Sequence, residues 1–286
     1  MKLALGTAQF GLDYGISNTQ GIVPKEAVKD ILDTAQKANI TLLDTGCVYG
    51  DSEQVLGQLL GENHYPFDIV DKVPDIESYK KSVTQVVEQS MQRLGVDKLK
   101  GLLLHNAADL NDQTFAELES LKNQGIVERI GISVYYPSVT FDLCEKYPID
   151  LVQCPLNLFD QRFIESDCIS YLKQRGIEIH ARSLFLQGLL LMPLKQLPDY
   201  FQPYQDLFVR LKGHCQGHNI DHQTAAFTIA HQQQQIDKFI IGVCSSSQLE
   251  QAISAYQRAA TVKFEIADFS CHEQALISPF LWPQRR

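Results

Sequence analysis

The chain has 286 residues, 44% of them hydrophobic and 21% charged, which excludes a disordered or fibrous protein. Twenty-five Lys and Arg against 34 Asp and Glu leave a formal charge of −9, which argues against a nucleic-acid or anionic-membrane partner. No apolar run reaches the roughly 18 residues of a membrane span, and a chain this long needs no disulfide or metal staple.

The start, MKLALGTAQF, carries one lysine, and its apolar run stops at Gly6, too short for a secretory signal. Eight short apolar runs then recur: Lys2–Gly6, Thr41–Asp44, Phe67–Val73, Gly101–His105, Arg129–Ser133, Asp150–Cys154, Ile177–Arg182 and Phe239–Gly242. Each reads as a strand. Helix-length segments lie between most of them. Val28, Ile31, Leu32 and Ala35 form one apolar stripe, and Val83, Val86, Val87 and Met91 form another. Ser52, with Glu53 behind it and Leu56 and Leu59 following, looks like a capped helix start.

Strands alternating with helices predict βαβ units and a parallel sheet. Eight such units in 286 residues predict an α/β fold, a (β/α)8 TIM barrel, with residues 1–286 forming one domain. The competing fold is an open doubly wound sheet, which calls for GxGxxG after its first strand. No glycine here has another glycine two positions on, so the barrel is preferred. The rhythm breaks at about 184–219, where three prolines and several aromatics suggest a long βα loop with an added helix near Tyr204–Leu211. Such an insertion would lie over the catalytic mouth and serve as a substrate or cofactor flap.

Seven cysteines, at 47, 144, 154, 168, 215, 244 and 271, form no CxxC pair and are odd in number. They read as free thiols in a reducing cytoplasm. His214, Cys215, His218 and His222 match no standard zinc spacing, so no metal is expected.

Chemistry in a barrel belongs at the C-terminal strand ends. Those ends carry Asp44, with Tyr49 five residues on, then Lys72, then His105. A free phenol, with a pKa near ~10, gives up its proton reluctantly, and an adjacent ammonium should stabilise the phenolate and lower that pKa. Asp44 would keep a half-buried Lys72 charged, and a neutral His105 would hydrogen-bond an oxygen that gains negative charge. This set suits reduction of a carbonyl, and because it lacks a hydride source it implies a nicotinamide cofactor.

At these positions the sequence resembles the aldo-keto reductase superfamily, whose Asp, Tyr, Lys and His tetrad is matched by Asp44, Tyr49, Lys72 and His105. The resemblance runs from LGTAQFG at 5–11, which includes Gly6, Thr7 and Ala8, to about residue 260. It implies NAD(P)H-dependent reduction of an aldehyde or ketone with Tyr49 as general acid. It also implies that Ser133 and Gln153 hold the nicotinamide carboxamide, with Asn157 following at family spacing on the substrate side. ARSLFLQGLL at 181–190, with Arg182, Ser183 and Gly188, resembles the segment that lines the pyrophosphate. GVCSSSQLEQA at 242–252, with Gly242, Val243, Ser245, Gln248 and Gln251, resembles the loop and helix start at the adenosine end. Phe10, Tyr14, Cys47 and Trp282 are the remaining expected substrate contacts.

Three departures stand out. Val134 replaces the family's asparagine, and Arg182 replaces the aromatic that stacks on the nicotinamide. A guanidinium can lie flat on a ring, but its charge would favour reduced over oxidised nicotinamide. No Lys or Arg lies between Lys238 and Arg258, where NADP-preferring members place one. NADP(H) is expected from the resemblance, with NAD(H) open. An alternative is a cofactor-binding accessory protein, similar to the family's potassium-channel β-subunits. A sugar or sugar nucleotide is a further substrate class; the sequence is silent on oligomeric state.

Overall fold

A computed structural model of the protein describes residues 1–283. Eight parallel strands close into a barrel in sequence order: β1 (Leu3–Gly6), β2 (Leu42–Asp44), β3 (Asp68–Val73), β4 (Leu99–Leu104), β5 (Val127–Ser133), β6 (Leu151–Pro155), β7 (Glu178–Arg182) and β8 (Lys238–Gly242). All eight apolar runs become strands, with ends displaced by no more than two residues. The barrel shuts where β1 pairs with β8, Leu3 opposite Phe239 and Gly6 opposite Gly242.

The helices that matter to the site are α1 (Lys25–Lys37), α2 (Ser52–Asn63), α3 (Val83–Leu94), α4 (Cys168–Gln174), α5 (Gln205–Gly217), α6 (His222–Gln232) and α7 (Ser246–Ala259). In α1 the stripe Val28, Ile31, Leu32 and Ala35 is wholly buried against the barrel. In α3, Val83, Val86 and Val87 are buried, and the helix starts on a capping box between Ser82 and Gln85. Ser52 differs from its expectation. It is the first helical residue of α2 rather than its cap, and its buried hydroxyl donates to the Thr7 carbonyl at 3.0 Å instead.

Two cores are separated by the sheet. The larger lies between strands and helices. A smaller cluster of Ala4, Leu42, Val70, Leu103, Leu151 and Ile240 fills the barrel interior. In a strand, residues two apart share a face. One step above this plug the inward positions are therefore Gly6, Asp44, Lys72, His105, Gln153 and Gly242, and a barrel packed shut below leaves them as the floor of its mouth.

The insertion divides in two. Its first part, 184–191, stays at the mouth, and α5 packs to the side, with Phe208 edge-on to Phe159 at 5.1 Å and His214 edge-on to Phe269 at 5.1 Å. Tyr200 and the C-terminal segment are tied together by a 3.1 Å bond from its hydroxyl to the Ala275 carbonyl. No helix among the described residues is long and apolar enough to cross a membrane.

Candidate active site

A cavity of about 1250 Å³ opens at the C-terminal ends of the strands. Asp44, Tyr49, His105 and Gln153 line it together, and Lys72 lies directly beneath, 1% exposed. The Lys72 ammonium donates to Asp44 Oδ2 at 2.5 Å and to the Thr45 carbonyl at 2.9 Å. The other carboxylate oxygen of Asp44 accepts from Gln153 Nε2 at 2.7 Å. Both ends of the ion pair are thus hydrogen-bonded, which a buried pair needs to be stable. Lys72 Nζ sits 5.1 Å from the centre of the Tyr49 ring, and that ring meets His105 edge-on at 6.2 Å.

Tyr49 comes from the loop between β2 and α2, and its position depends on a close backbone approach. A Cβ at Gly11 would fall 1.9 Å from the Tyr49 carbonyl oxygen, so only glycine lets the β1 loop clamp the tyrosine loop.

Burial holds the Tyr49 phenol above its ordinary pKa, and the Lys72 ammonium pulls only partly against it. The expected lowering by lysine is present but is outweighed by desolvation. Burial alone would lower the Lys72 pKa, yet Asp44 and Tyr49 reverse this and the ammonium is held charged. Burial, with the nearby Lys72 and Arg182 charges, lowers His105 to about 4, so the imidazole is neutral at physiological pH.

Around this centre the cavity wall includes Gly6, Thr7, Ala8 and Tyr14 from the β1 end, and Gly242, Val243, Gln248 and Gln251 from the β8 end. Arg182, Ser183 and Gly188 line it from β7 onward, and Trp282 from the C-terminal segment. Trp282 is held by its indole N–H, which donates to the Ala275 carbonyl at 3.1 Å, and by edge-on contact with Phe201 at 4.9 Å. Burial of the Tyr14 hydroxyl end, together with neighbouring Tyr49, raises it to about 12.

Phe10, Cys47 and Asn157 are placed elsewhere, whereas Ser133 and Ser245 stay close to the site. Phe10 is 1% exposed and belongs to the core under the β1 loop, because its side chain turns inward where that loop folds back. Cys47 faces a separate side crevice with Tyr79 and Arg93, and burial raises its thiol to about 12, which leaves it protonated and unreactive. Asn157 is fully buried and holds a turn: its oxygen accepts from Phe159 and Asp160 N–H, and its amide donates to the Ser183 carbonyl at 3.2 Å. Ser133 is buried in register with Gln153, and Ser245 caps α7 by accepting from Gln248 N–H at 3.2 Å. That register sets Ser133 on the same inward face as Gln153.

Residues not anticipated include Tyr135, Gln187 and the polar run Ser17, Thr19 and Gln20, all on the wall. Asp221 and His222, at the start of α6, also line it. The segment after β7 has left-handed backbone at Ser183, Leu186, Gln187 and Gly188. A Cβ at Gly188 would fall 1.8 Å from Ser17 Oγ, so the two loops interlock there. The glycine of FLQG was the available signal; the polar run had none.

The fold and this constellation define a (β/α)8 barrel whose mouth holds a buried lysine–aspartate pair beside a tyrosine and a neutral histidine. The chain belongs to the aldo/keto reductase family, whose model matches residues 2–270. It is 26% identical over 214 residues to the uncharacterized oxidoreductase YqkF of Bacillus subtilis, which covers 69% of each chain. An uncharacterized oxidoreductase of Schizosaccharomyces pombe is 27% identical over 168 residues, 54% of this chain and 53% of that one. Among solved structures, the holo form of an aldo-keto reductase from Bacillus halodurans superposes with a TM-score of 0.76 at 20% identity, covering 96% of this chain and 94% of that one. A glycerol dehydrogenase from Gluconobacter oxydans gives 0.72 at 21% identity, covering 97% and 92%. At such identities these two structures speak for the fold alone.

Proposed function

We propose that this protein reduces an aldehyde or ketone to the alcohol with a reduced nicotinamide cofactor, Tyr49 being the proton donor. The observation that carries this reading is the Tyr49 ring on the cavity wall, flanked by the buried Lys72–Asp44 pair and by His105. The residues present suit the cofactor. Gln153 Oε1 is buried without a partner among the described residues, an acceptor suited to a carboxamide N–H. Gly6 and Gly242 lie side by side on the cavity wall, with the Gln9 side chain against Gly242, and the N-terminus of α7 beyond them favours an anion.

When bound, the reduced nicotinamide supplies the hydride. Tyr49 gives its proton to the carbonyl oxygen. Its raised pKa keeps that proton available at neutral pH, and Lys72 steadies the phenolate left behind. Asp44 keeps Lys72 charged, and Gln153 fixes the orientation of Asp44. His105, being neutral, can donate one ring N–H to the same oxygen. Ser17, Thr19 and Gln20 on the wall suit a hydroxylated, sugar-type carbonyl compound.

The resemblance favours NADP(H). A second reading, NAD(H), is favoured by Val243, Cys244 and Gln248, which bring no cation to a 2′-phosphate, and by Gln248 already accepting from Cys244 N–H at 2.8 Å. Titration of the wild type with NADPH and NADH separates the two. The mechanism is tested with Tyr49→Phe, which should lower turnover by about 10²–10⁴-fold while leaving cofactor Kd within about threefold. Near wild-type turnover in that variant would overturn it.

A further inference from the structure

Arg182 ends β7 at the mouth of the barrel, opposite Pro155 of β6. Its guanidinium carbon lies 4.4 Å over the Tyr135 ring. Nη2 donates to the Val134 carbonyl at 3.1 Å, and Nη1 to Ser183 Oγ at 3.3 Å. Tyr135 is in turn backed edge-on by Phe280 at 5.0 Å. The group is therefore fixed in place on the cavity wall, and no carboxylate among the described residues forms an ion pair with it. Arg93 and Arg162, by contrast, are paired with Glu53 and Asp160. An arginine side chain stays charged in a protein, so this charge is delivered to the cavity without local neutralisation.

The charge reaches the reacting centre. With burial and Lys72 it lowers the His105 pKa, and it opposes in small part the burial that raises Tyr49. A hydride donor must lie beside the carbonyl carbon whose oxygen meets Tyr49, so its ring comes within the same field. In the reduction the hydride leaves the ring with its electron pair for the carbonyl carbon, and the oxygen takes the Tyr49 proton. A neutral ring thereby becomes a cation. Two positive charges close together in a partly dry cavity repel.

We propose that Arg182 makes the site selective for the reduced over the oxidised nicotinamide, holding the first and hastening departure of the second. The inference rests on the function proposed above. Selectivity of this kind leaves the overall reaction equilibrium untouched. It biases the cycle toward reduction by keeping the oxidised product from occupying the site.

Trp282, the only tryptophan, lines the same cavity, so quenching of its fluorescence reports binding of either redox form without turnover. The wild type should bind the reduced form at least about tenfold more tightly than the oxidised form. Arg182→Gln should narrow that ratio to within about threefold, chiefly by strengthening the oxidised form, and Arg182→Lys should largely keep it. Equal affinity of the wild type for both forms, or the same ratio in Arg182→Gln, overturns the role of Arg182 and leaves the reductase reading standing. If neither form binds the wild type below millimolar, the reading beneath fails and the inference falls with it. Should Arg182→Gln not fold, Arg182→Met, which keeps an apolar stem over Tyr135 and removes the charge, makes the same comparison with the same expected outcome.

Discussion

Replacement of Lys72 by methionine keeps most of the side-chain volume and removes the ammonium. In the native chain that ammonium is 1% exposed and makes two hydrogen bonds, to Asp44 at 2.5 Å and to the Thr45 carbonyl at 2.9 Å. The variant leaves Asp44, 3% exposed, with Gln153 as its remaining side-chain partner and no cation beside it. Breaking one side of a buried pair costs ~3–5 kcal/mol, because a desolvated charge is stranded. Asp44→Asn strands the lysine instead and should cost a similar amount. Removing both charges restores a neutral interior, so the double variant should be less destabilised than the two single losses together, by a coupling of ~2 kcal/mol or more. Denaturant unfolding at neutral pH of the four proteins closes the cycle, with equal m-values confirming one transition. Additive losses would refute the claim that the two charges stabilise one another inside the barrel. Turnover should collapse in both single variants, and recovery of stability without turnover in the double would separate the structural from the chemical role.

Two further outcomes follow from groups near the site. Asp71 alternates with Lys72 along β3 and so points away from the mouth, toward Glu53 on α2 and Ser90 and Arg93 on α3; burial and Glu53 push it from 3.8 up to about 7. An acid whose folded pKa is raised binds more proton when folded, so its contribution to stability is lost as pH rises from about 4 to about 7, by at most ~1.4 kcal/mol per pH unit. Asp71→Asn should flatten that slope in thermal or urea unfolding from pH 5 to 8, and an unchanged slope would count against it. Asn157→Ala removes the acceptor for two buried N–H groups and the donor to the Ser183 carbonyl, a loss of ~2–4 kcal/mol. Because Ser183 lines the cavity, cofactor affinity should weaken in the same variant while Tyr49 chemistry per bound cofactor is retained.

The barrel, and the meeting of Asp44, Tyr49, Lys72 and His105 at its mouth, were readable from the chain because both rest on local pattern. Parallel strands covered on both sides are short continuous apolar runs, and each run announces one strand. The order of polar residues at the run ends then placed Asp44, Lys72 and His105 on neighbouring strands, with Tyr49 in the loop after the first. A continuous apolar run does not say which of its faces is inward, and that is where the tertiary structure decided. Only the closed sheet shows that Val70 and Lys72 share the inner face, so that Asp71, one residue away, joins Glu53 behind the sheet. The same holds for contacts between distant segments. Gln153 meets Asp44 across 109 positions, Arg182 rests on Tyr135, and Trp282 folds against Phe201. Phe10 and Cys47 lie close in sequence to site residues, yet loop curvature turns the first into the core and the second toward a side crevice. Spacing along a chain specifies which strand end a residue occupies; the direction of its side chain depends on how the eight strands tilt and close.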